Sequence, residues 1–288
     1  MKNTILPVQP SLLLMTDGYQ RIDSNLDGIS HFYHYSVKDG KGKGFHAVPD
    51  GSTDLLFAIS EHGVSTYMGG TVLQVKEWEM EEDCTYFGVR FLPGKALFPQ
   101  GMTIGDVVDT DVCVENQDLA GNLAEKIALE KDFQKQAAIF SDYYIRVKAQ
   151  QLPRENSSAE IEKFIRRKMY ETAGNISIAE LAKQSGYSAC YIRRCFETVH
   201  GISPKVFGKF IRFQRMLHSI GENADQAQME ALAADCGYYD QSHMMKDFKK
   251  FSGMTPDGYR KELLTLKADA GKETFVKDNR QVPGKKLL

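Results

Sequence analysis

The chain has 288 residues, 42% of them hydrophobic and 26% charged, a composition that excludes bulk disorder and fibrous architectures. This length corresponds to about two domains. No apolar run approaches the roughly 18 residues that a membrane span needs, and the N-terminus lacks the features of a secretory signal. We therefore expect a cytoplasmic protein with no membrane partner.

The formal net charge of −2 hides an asymmetry along the chain. Residues 1–156 carry 14 Lys and Arg against 22 Asp and Glu. Residues 157–264 carry 16 against 13, and residues 265–288 carry 6 against 3. An acidic half joined to a basic half favours a polyanionic partner for the basic part, although an excess of three charges is small.

The first 116 residues show the pattern of a mainly β-domain. Segments rich in aromatic and β-branched residues, separated by breaks that contain Gly and Asp, predict strands at 30–37, 54–60, 64–68, 71–80 and 85–91. Strands at this spacing favour a cupin-like barrel or a sandwich over a parallel sheet with crossover helices. We interpret residues 1–116 as a sensor or dimerisation domain.

The pattern becomes helical from residue 117. Apolar residues recur every three or four positions through 117–150, which predicts trailing helices that link the domains or contribute to dimerisation. The segment QLPRENSS (151–158) marks a boundary, because a proline lies among polar residues. The tail 265–288 is basic and has no periodicity, so we expect it to be disordered.

An internal repeat organises residues 157–264 and predicts an all-α domain. Each unit reads as a helix, a glycine-containing turn and a second helix, which is the helix-turn-helix motif. Ser177 and Glu180 fit a capping box at the start of the first unit. The matching positions are offset by 51 residues before the second turn and by 52 after it: Leu181, Gly186 and Tyr187 with Leu232, Gly237 and Tyr238, then Phe196, Gly201 and Pro204 with Phe248, Gly253 and Pro256.

The second helix of each unit, at 188–199 and 240–251, is the one that would enter a major groove of DNA. A single unit could be an ordinary αα-hairpin, but two copies of one skeleton favour DNA binding. Helical periodicity turns Ile192, Cys195, Phe196, Val199, Met244, Phe248 and Phe251 towards the core. The predicted DNA-contacting residues are Ala189, Cys190, Arg193, Arg194, Gln241, Ser242, Met245, Lys246 and Lys249.

The segments GYSACYIRRCF (186–196) and GYYDQSHMMKDFKKFSGMTP (237–256), joined by an amphipathic stretch at 204–220, resemble the DNA-binding domain of the AraC/XylS family. The resemblance covers roughly residues 158–263 and includes the longer second turn. It implies seven helices, with the two recognition helices in successive major grooves about 34 Å apart. Lys246 stands where arginine is common in the family, so we expect the second unit to contact phosphates more than bases.

The segments PDGSTDLLF (49–57) and GVRFLPG (88–94) resemble the β-domain that precedes some AraC-type regulators, the DUF6597 group, over about residues 29–112. This resemblance implies an architecture but no ligand. Asp50, Asp54 and Arg90 lie within the two motifs and are candidate ligand-binding residues. The preferred interpretation over ligand binding is a turn at Asp50 and a structural ion pair for the other two residues.

Metal and cysteine chemistry are the main alternatives in the β-domain. His31, His34, His46 and His62 offer possible metal ligands, but the first two are three residues apart and so face opposite sides of a strand. The five cysteines are scattered without a CxxC pair, which favours free thiols. We therefore expect no metal, no cofactor and no catalytic residue.

The sequence thus predicts a bacterial, non-enzymatic transcription regulator that binds double-stranded promoter DNA. The expected partners are RNA polymerase, a second copy in a homodimer and an unknown small-molecule effector in the N-terminal domain. Two alternatives stay open: a cupin-like metal-dependent enzyme fused to a DNA-binding module, and a dimerising regulator that binds no ligand.

Overall fold

The computed structural model describes residues 7–10, 16–37, 45–114, 122–150, 157–222 and 229–270. A β-rich N-terminal part is followed by a helical C-terminal part, which confirms the predicted fold class. Within the described ranges, no helix combines the length and apolar character needed to cross a membrane.

The N-terminal part contains two antiparallel sheets. The main sheet has six strands in the order β1-β2-β7-β4-β5-β8, and β3 pairs with β6 in a small second sheet. Among the described strands, β1 and β8 lie at the two edges of the main sheet, and Phe45 of β3 shares a buried cluster with Tyr33 and Tyr35 of β2. The described strands are β1 (Asp17–Asp23), β2 (Ile29–Val37), β3 (Phe45–Ala47), β4 (Thr53–Ser60), β5 (Gly63–Gly69), β6 (Lys76–Trp78), β7 (Cys84–Phe91) and β8 (Asp111–Cys113).

The strand predicted at 71–80 is wrong for most of its length, because only Lys76–Trp78 is extended and paired. The backbone groups of Thr71 and Val75, which precede this strand, form hydrogen bonds that belong to no pair of strands. The carbonyl oxygen of Thr71 accepts from the Asp109 amide at 3.0 Å, and the Val75 amide donates to the carbonyl oxygen of Lys250 at 3.3 Å. These contacts bend the chain between the two sheets.

The described residues form a short 3-10 helix at Ile104–Asp106 and nine α-helices: α1 (Leu123–Leu129), α2 (Phe133–Gln150), α3 (Ser157–Glu171), α4 (Ile178–Ser185), α5 (Ala189–His200), α6 (Pro204–Glu222), α7 (Met229–Asp235), α8 (Gln241–Ser252) and α9 (Pro256–Ala270). Helices α3–α9 supply the seven that the family resemblance implied. Helix α9 runs to Ala270, so the first residues of the tail predicted as disordered are helical. The rest of that tail, 271–288, lies outside the described residues.

The two faces of the main sheet are covered differently. One face packs against α1 and α2, where Phe140 of α2 contacts the rings of Phe32 and Phe57. The opposite face carries Tyr33 and Tyr35 at alternate positions of β2 and is covered by the small sheet. This second face forms the cavity described below.

The repeat appears in the structure as two recognition helices with matched caps. The Ser188 hydroxyl accepts from the Tyr191 amide at the start of α5, and the Asp240 carboxylate accepts from the His243 amide at the start of α8. Both helices end at a glycine in the left-handed region, as the C-cap requires. The caps are 52 residues apart and the preceding turn glycines are 51 apart, so the extra residue lies in the turn before α8.

At the capping box predicted for α4 only one of the two bonds forms. The Ser177 hydroxyl accepts from the Glu180 amide at 3.0 Å. The Glu180 carboxylate turns away from the cap and accepts from the side-chain amide of Gln184 at 2.8 Å.

Helix α6 is the centre of the helical domain. Its Phe207 packs against Phe196 of α5 at a ring distance of 5.3 Å, and its Phe213 packs against Phe248 of α8 at 5.5 Å. The positions predicted to face the core are buried, except for Val199, which is half-buried. Both recognition helices are thus positioned by one central helix.

Candidate nucleic-acid interface and ligand cavity

Helix α5 presents a polar surface at the positions predicted to contact DNA. Cys190, Arg193 and Arg194 are exposed, and Ala189 is half-buried at the start of the helix. The Arg194 guanidinium lies over the Tyr191 ring, 5.3 Å from its centre, which restrains its direction. Within the described residues Arg193 forms no ion pair, so its donors are available to a groove.

Helix α8 presents Gln241, Ser242, Lys246 and Lys249 to solvent. The prediction that Met245 faces outward is only partly met. The side chain is half-buried and packs against the core of the helical domain. Its position directly follows the buried Met244, so it lies at the edge of the apolar stripe rather than outside it. The outward surface of α8 therefore carries amide, hydroxyl and ammonium groups, and none of its predicted contact residues has a guanidinium.

Asp247 positions α8 and was not among the predicted site residues. Its buried carboxylate accepts from the Lys209 ammonium of α6 at 3.1 Å and lies 3.7 Å from His243 Nε2. The sequence signal for Asp247 is its spacing: it lies three residues after Met244, so helical periodicity places it on the core face of α8. This ion pair joins the second recognition helix to the central helix.

A cavity of about 250 Å³ lies between the main sheet and the small sheet. The Tyr35 ring stacks on Tyr86 at 4.9 Å and on Tyr33 at 6.1 Å. Gly88 lies opposite Tyr33 on the neighbouring strand, and its missing side chain leaves the space that the Tyr33 ring occupies. The aromatic residues that line the cavity are Tyr33, Tyr35, Phe45, Tyr67, Trp78 and Tyr86.

The three candidate ligand-binding residues meet on the wall of this cavity. Arg90 Nη2 lies 2.5 Å from Asp50 Oδ2, and Arg90 Nη1 lies 3.4 Å from Asp54 Oδ2. Asp50 Oδ1 also accepts from the Ser52 amide at 2.8 Å and closes a turn at Gly51. The turn and the ion pairs favoured by the sequence are present, and ligand binding by these residues stays a prediction.

Asp54 is electrostatically unusual. Burial raises the pKa of its carboxyl to about 6, in spite of the opposing effects of Arg90 and the Tyr33 hydroxyl. In the described part of the chain, its Oδ1 atom is buried and has no hydrogen-bond partner. A carboxylate oxygen without a partner on a cavity wall is a candidate contact for a bound ligand.

A short N-terminal segment connects the cavity to the helical domain. The Gln9 side-chain amide donates to Asp50 Oδ2 at 2.9 Å. The Gln214 side chain of α6 accepts from the Val8 amide at 2.9 Å and donates to the Pro49 carbonyl oxygen at 2.9 Å. Neither glutamine can be predicted as a site residue from the sequence, because no local pattern distinguishes them from ordinary polar residues.

The four histidines of the β-domain do not assemble into a metal site. His31 is buried with its Nδ1 atom 2.9 Å from Ser30 Oγ, and His34 lies on the opposite face of β2. His46 and His62 are exposed. Among the described residues, no group of three or more His, Cys, Asp or Glu could hold a metal ion, and the five cysteines are free.

Two capped helix-turn-helix units around a central helix define a DNA-binding protein. Residues 181–262 match the family described as a helix-turn-helix domain. Regulatory protein SoxS of Salmonella typhimurium and that of Escherichia coli K12 are each 33% identical over 89 residues, which is 31% of this chain and 80% of theirs. The chain belongs to the AraC/XylS family of DNA-binding transcription regulators.

Solved structures show more distant likenesses. A probable AraC family transcriptional regulator from Rhodopseudomonas palustris is 22% identical, with a TM-score of 0.33, over 36% of this chain and 97% of that chain. ToxT from Vibrio cholerae is 10% identical, with a TM-score of 0.42, over 85% of this chain and 98% of that chain. The resemblance of the β-domain to the DUF6597 group stays a prediction.

Proposed function

We propose that this regulator binds promoter DNA through α5 and α8 and that a small molecule in the tyrosine-lined cavity controls this binding. The observation that carries the proposal is the pair of glutamines between the two sites. Gln9 bonds to Asp50 on the cavity wall, and Gln214 bonds to the adjoining backbone from the helix that supports both recognition helices. A change in the cavity wall is thereby linked to the DNA-binding domain.

On the DNA side, Arg193 and Arg194 are proposed to contact base edges, because a guanidinium can bond to guanine with two donors. Lys246 and Lys249 are proposed to contact phosphates. Ala189, Cys190, Gln241 and Ser242 lie at the starts of the two recognition helices, where the backbone comes close to the groove. Met245 would contribute only its exposed part.

The central helix α6 suits simultaneous binding by both units. Its 19 residues span about 28 Å at 1.5 Å per residue. Successive major grooves on one side of B-DNA are about 34 Å apart. Recognition helices packed at different positions along this helix can therefore reach two successive grooves.

The small sheet offers the route by which a ligand could act on DNA binding. The Val75 amide, just before β6, donates to the Lys250 carbonyl oxygen near the end of α8. On the other side, the Pro49 carbonyl oxygen, just after β3, accepts from Gln214. If the small sheet can take two positions, a ligand that binds one of them more tightly favours that position. The free energy of this shift is set by the difference between its affinities for the two positions, and it would be felt by both helix-turn-helix units.

RNA polymerase and a second copy of the chain are the proposed macromolecular partners besides DNA. Action at a promoter brings the regulator next to the polymerase in the bacterial cytoplasm. Dimerisation is proposed to use residues 117–150, where Leu129 of α1 and Ile145 of α2 are large apolar side chains that are more than half exposed. No catalytic role is proposed.

The test is fluorescence anisotropy of the full chain on its own upstream DNA and on scrambled DNA, across 50–300 mM salt. A sequence-reading regulator should prefer the specific DNA by a factor of about 10³ or more, with a steep loss of affinity as salt rises. Equal affinity for both DNAs under all conditions would contradict the proposal.

A further inference from the structure

The described lining of the cavity is both aromatic and acidic. Besides its six aromatic rings it includes five carboxylates and a single guanidinium, that of Arg90. The carboxylates belong to Asp50, Asp54, Glu79, Glu81 and Asp111.

Both Nη atoms of Arg90 are already paired, and in the described part of the chain only its buried Nε atom has no hydrogen-bond partner. Its guanidinium is buried, with one Nη atom at Asp50 and the other at Asp54. An anionic ligand that approached it would meet these two carboxylates at close range. The charge of Arg90 is thus already balanced, and the remaining carboxylates give the lining a negative potential.

The aromatic rings favour the same sign of ligand charge. The faces of Tyr and Trp rings attract cations within about 6 Å of the ring centre. Trp78 already does so within the protein, because the Lys76 ammonium lies 4.5 Å from its ring centre. That ammonium also donates to the Asp109 carbonyl oxygen and does not line the cavity.

We propose that the cavity binds an organic cation, an ammonium or guanidinium group on an apolar body. The cationic group lies against the free Oδ1 atom of Asp54 and the ring of Tyr33, and the apolar body packs on Tyr35 and Tyr86. This inference rests on the proposed function for the idea that the cavity takes an effector, and it adds the chemical class of that effector.

Trp78 makes the proposal directly testable, because it is the only tryptophan of the chain and lines the cavity. The full-length protein is titrated with benzyltrimethylammonium, 3-phenyl-1-propanol and 3-phenylpropionate, which share a phenyl ring and differ in charge. Trp78 emission reports binding. The cation should bind at least tenfold more tightly than the neutral and anionic probes.

The variant Asp54→Asn removes the proposed charge contact and should abolish this tenfold preference. Asp142→Asn is the matched control, since Asp142 is an exposed carboxylate on α2 outside the cavity, and it should keep the preference. Unfolding curves of both variants show that the fold is retained. The comparison of probes on the unmodified protein does not depend on either variant.

Equal or tighter binding of the alcohol or the carboxylate, or no change in Trp78 emission with any probe at 10 mM, would overturn the inference. DNA affinity is measured in parallel. Selective cation binding without any effect on DNA affinity would uphold the chemical class of ligand and contradict the proposed control of DNA binding. Tight binding of the anionic probe with a change in DNA affinity would contradict the chemical class of ligand and uphold the proposed control of DNA binding.

Discussion

The side-chain amide of Gln214 donates to the carbonyl oxygen of Pro49 at 2.9 Å, although the two residues are 165 positions apart. Gln214 is buried in the middle of α6, and Pro49 precedes Asp50 on the cavity wall. This bond, with the one from the Val8 amide to the Gln214 side chain, fixes the β-domain to the helix between the two recognition units.

Replacement of Gln214 by alanine should reduce stability by about 1–3 kcal/mol, because it removes a partner from the buried Pro49 carbonyl oxygen and from the part-buried Val8 amide. Urea unfolding measures this loss. Gln184→Ala, at an exposed position of α4, is the matched control and should change stability by less than about 0.5 kcal/mol. Similar losses in both variants would contradict a special role for Gln214.

Arg193→Ala should reduce both affinity and sequence preference on DNA. The loss on the specific site should be about 1–3 kcal/mol, the value of a good bidentate contact to a base. Lys249→Ala should weaken binding to specific and scrambled DNA alike, because a phosphate contact carries no sequence information. Anisotropy titrations on both DNAs measure the two effects, and equal losses on both DNAs for Arg193→Ala would refute its role in base recognition.

Gly88→Ala should destabilise the β-domain by about 1–3 kcal/mol. A Cβ atom at this position would lie 2.1 Å from Cζ of the buried Tyr33 ring, so the ring or the strand has to shift. Gly69, in β5, also lines the cavity, but the nearest side-chain atom to its added Cβ would be 4.0 Å away. Gly69→Ala should therefore be close to neutral in urea unfolding, and a larger loss there than at Gly88 would disprove the packing argument.

Asp54→Asn should make the protein more stable at neutral pH. Since the pKa of Asp54 in the fold is about 6 and its ordinary value is 3.8, the folded state holds a proton between these values that the unfolded chain has released. Ionisation of Asp54 therefore costs stability as the pH rises from about 4 to 6, and asparagine avoids this cost. The variant should gain about 1–3 kcal/mol above pH 6.

Urea unfolding at pH 4.5, 5.5, 6.5 and 7.5 measures this pH dependence. The difference between Asp54→Asn and the unmodified protein should grow through the first intervals and then level off. Asp142→Asn, with an exposed carboxylate, should show no such trend. A variant that is less stable than the unmodified protein at every pH would contradict the assignment of the raised pKa.

The helical domain could be predicted in detail because its signals are local. Gly186 and Gly237, the caps at Ser188 and Asp240, and the spacing of the buried residues all follow from helix geometry within about 70 residues. The half-buried position of Met245 does not follow from helical periodicity, because its exposure depends on the neighbouring helices.

The cavity could not be predicted because its parts are distant in sequence. Tyr33 and Tyr35 alternate on one strand, but only strand pairing brings Tyr86 beside them and Arg90 between two aspartates. The short strand Phe45–Ala47 offers three residues and no pattern. The β4 and β7 motifs singled out Asp54 and Arg90, which form an ion pair in the structure, but they do not indicate that the two residues share a cavity wall with tyrosines.

The two recognition helices of one chain are not equivalent. Helix α5 carries paired arginines, whereas α8 carries lysines and follows a turn that is one residue longer. If both helices enter DNA grooves as proposed, a single chain matches a base sequence without twofold symmetry and fits that sequence in only one orientation. Reversal of such a site would turn the β-domain towards the opposite end of the DNA, so the site itself sets the direction in which the protein faces along the promoter.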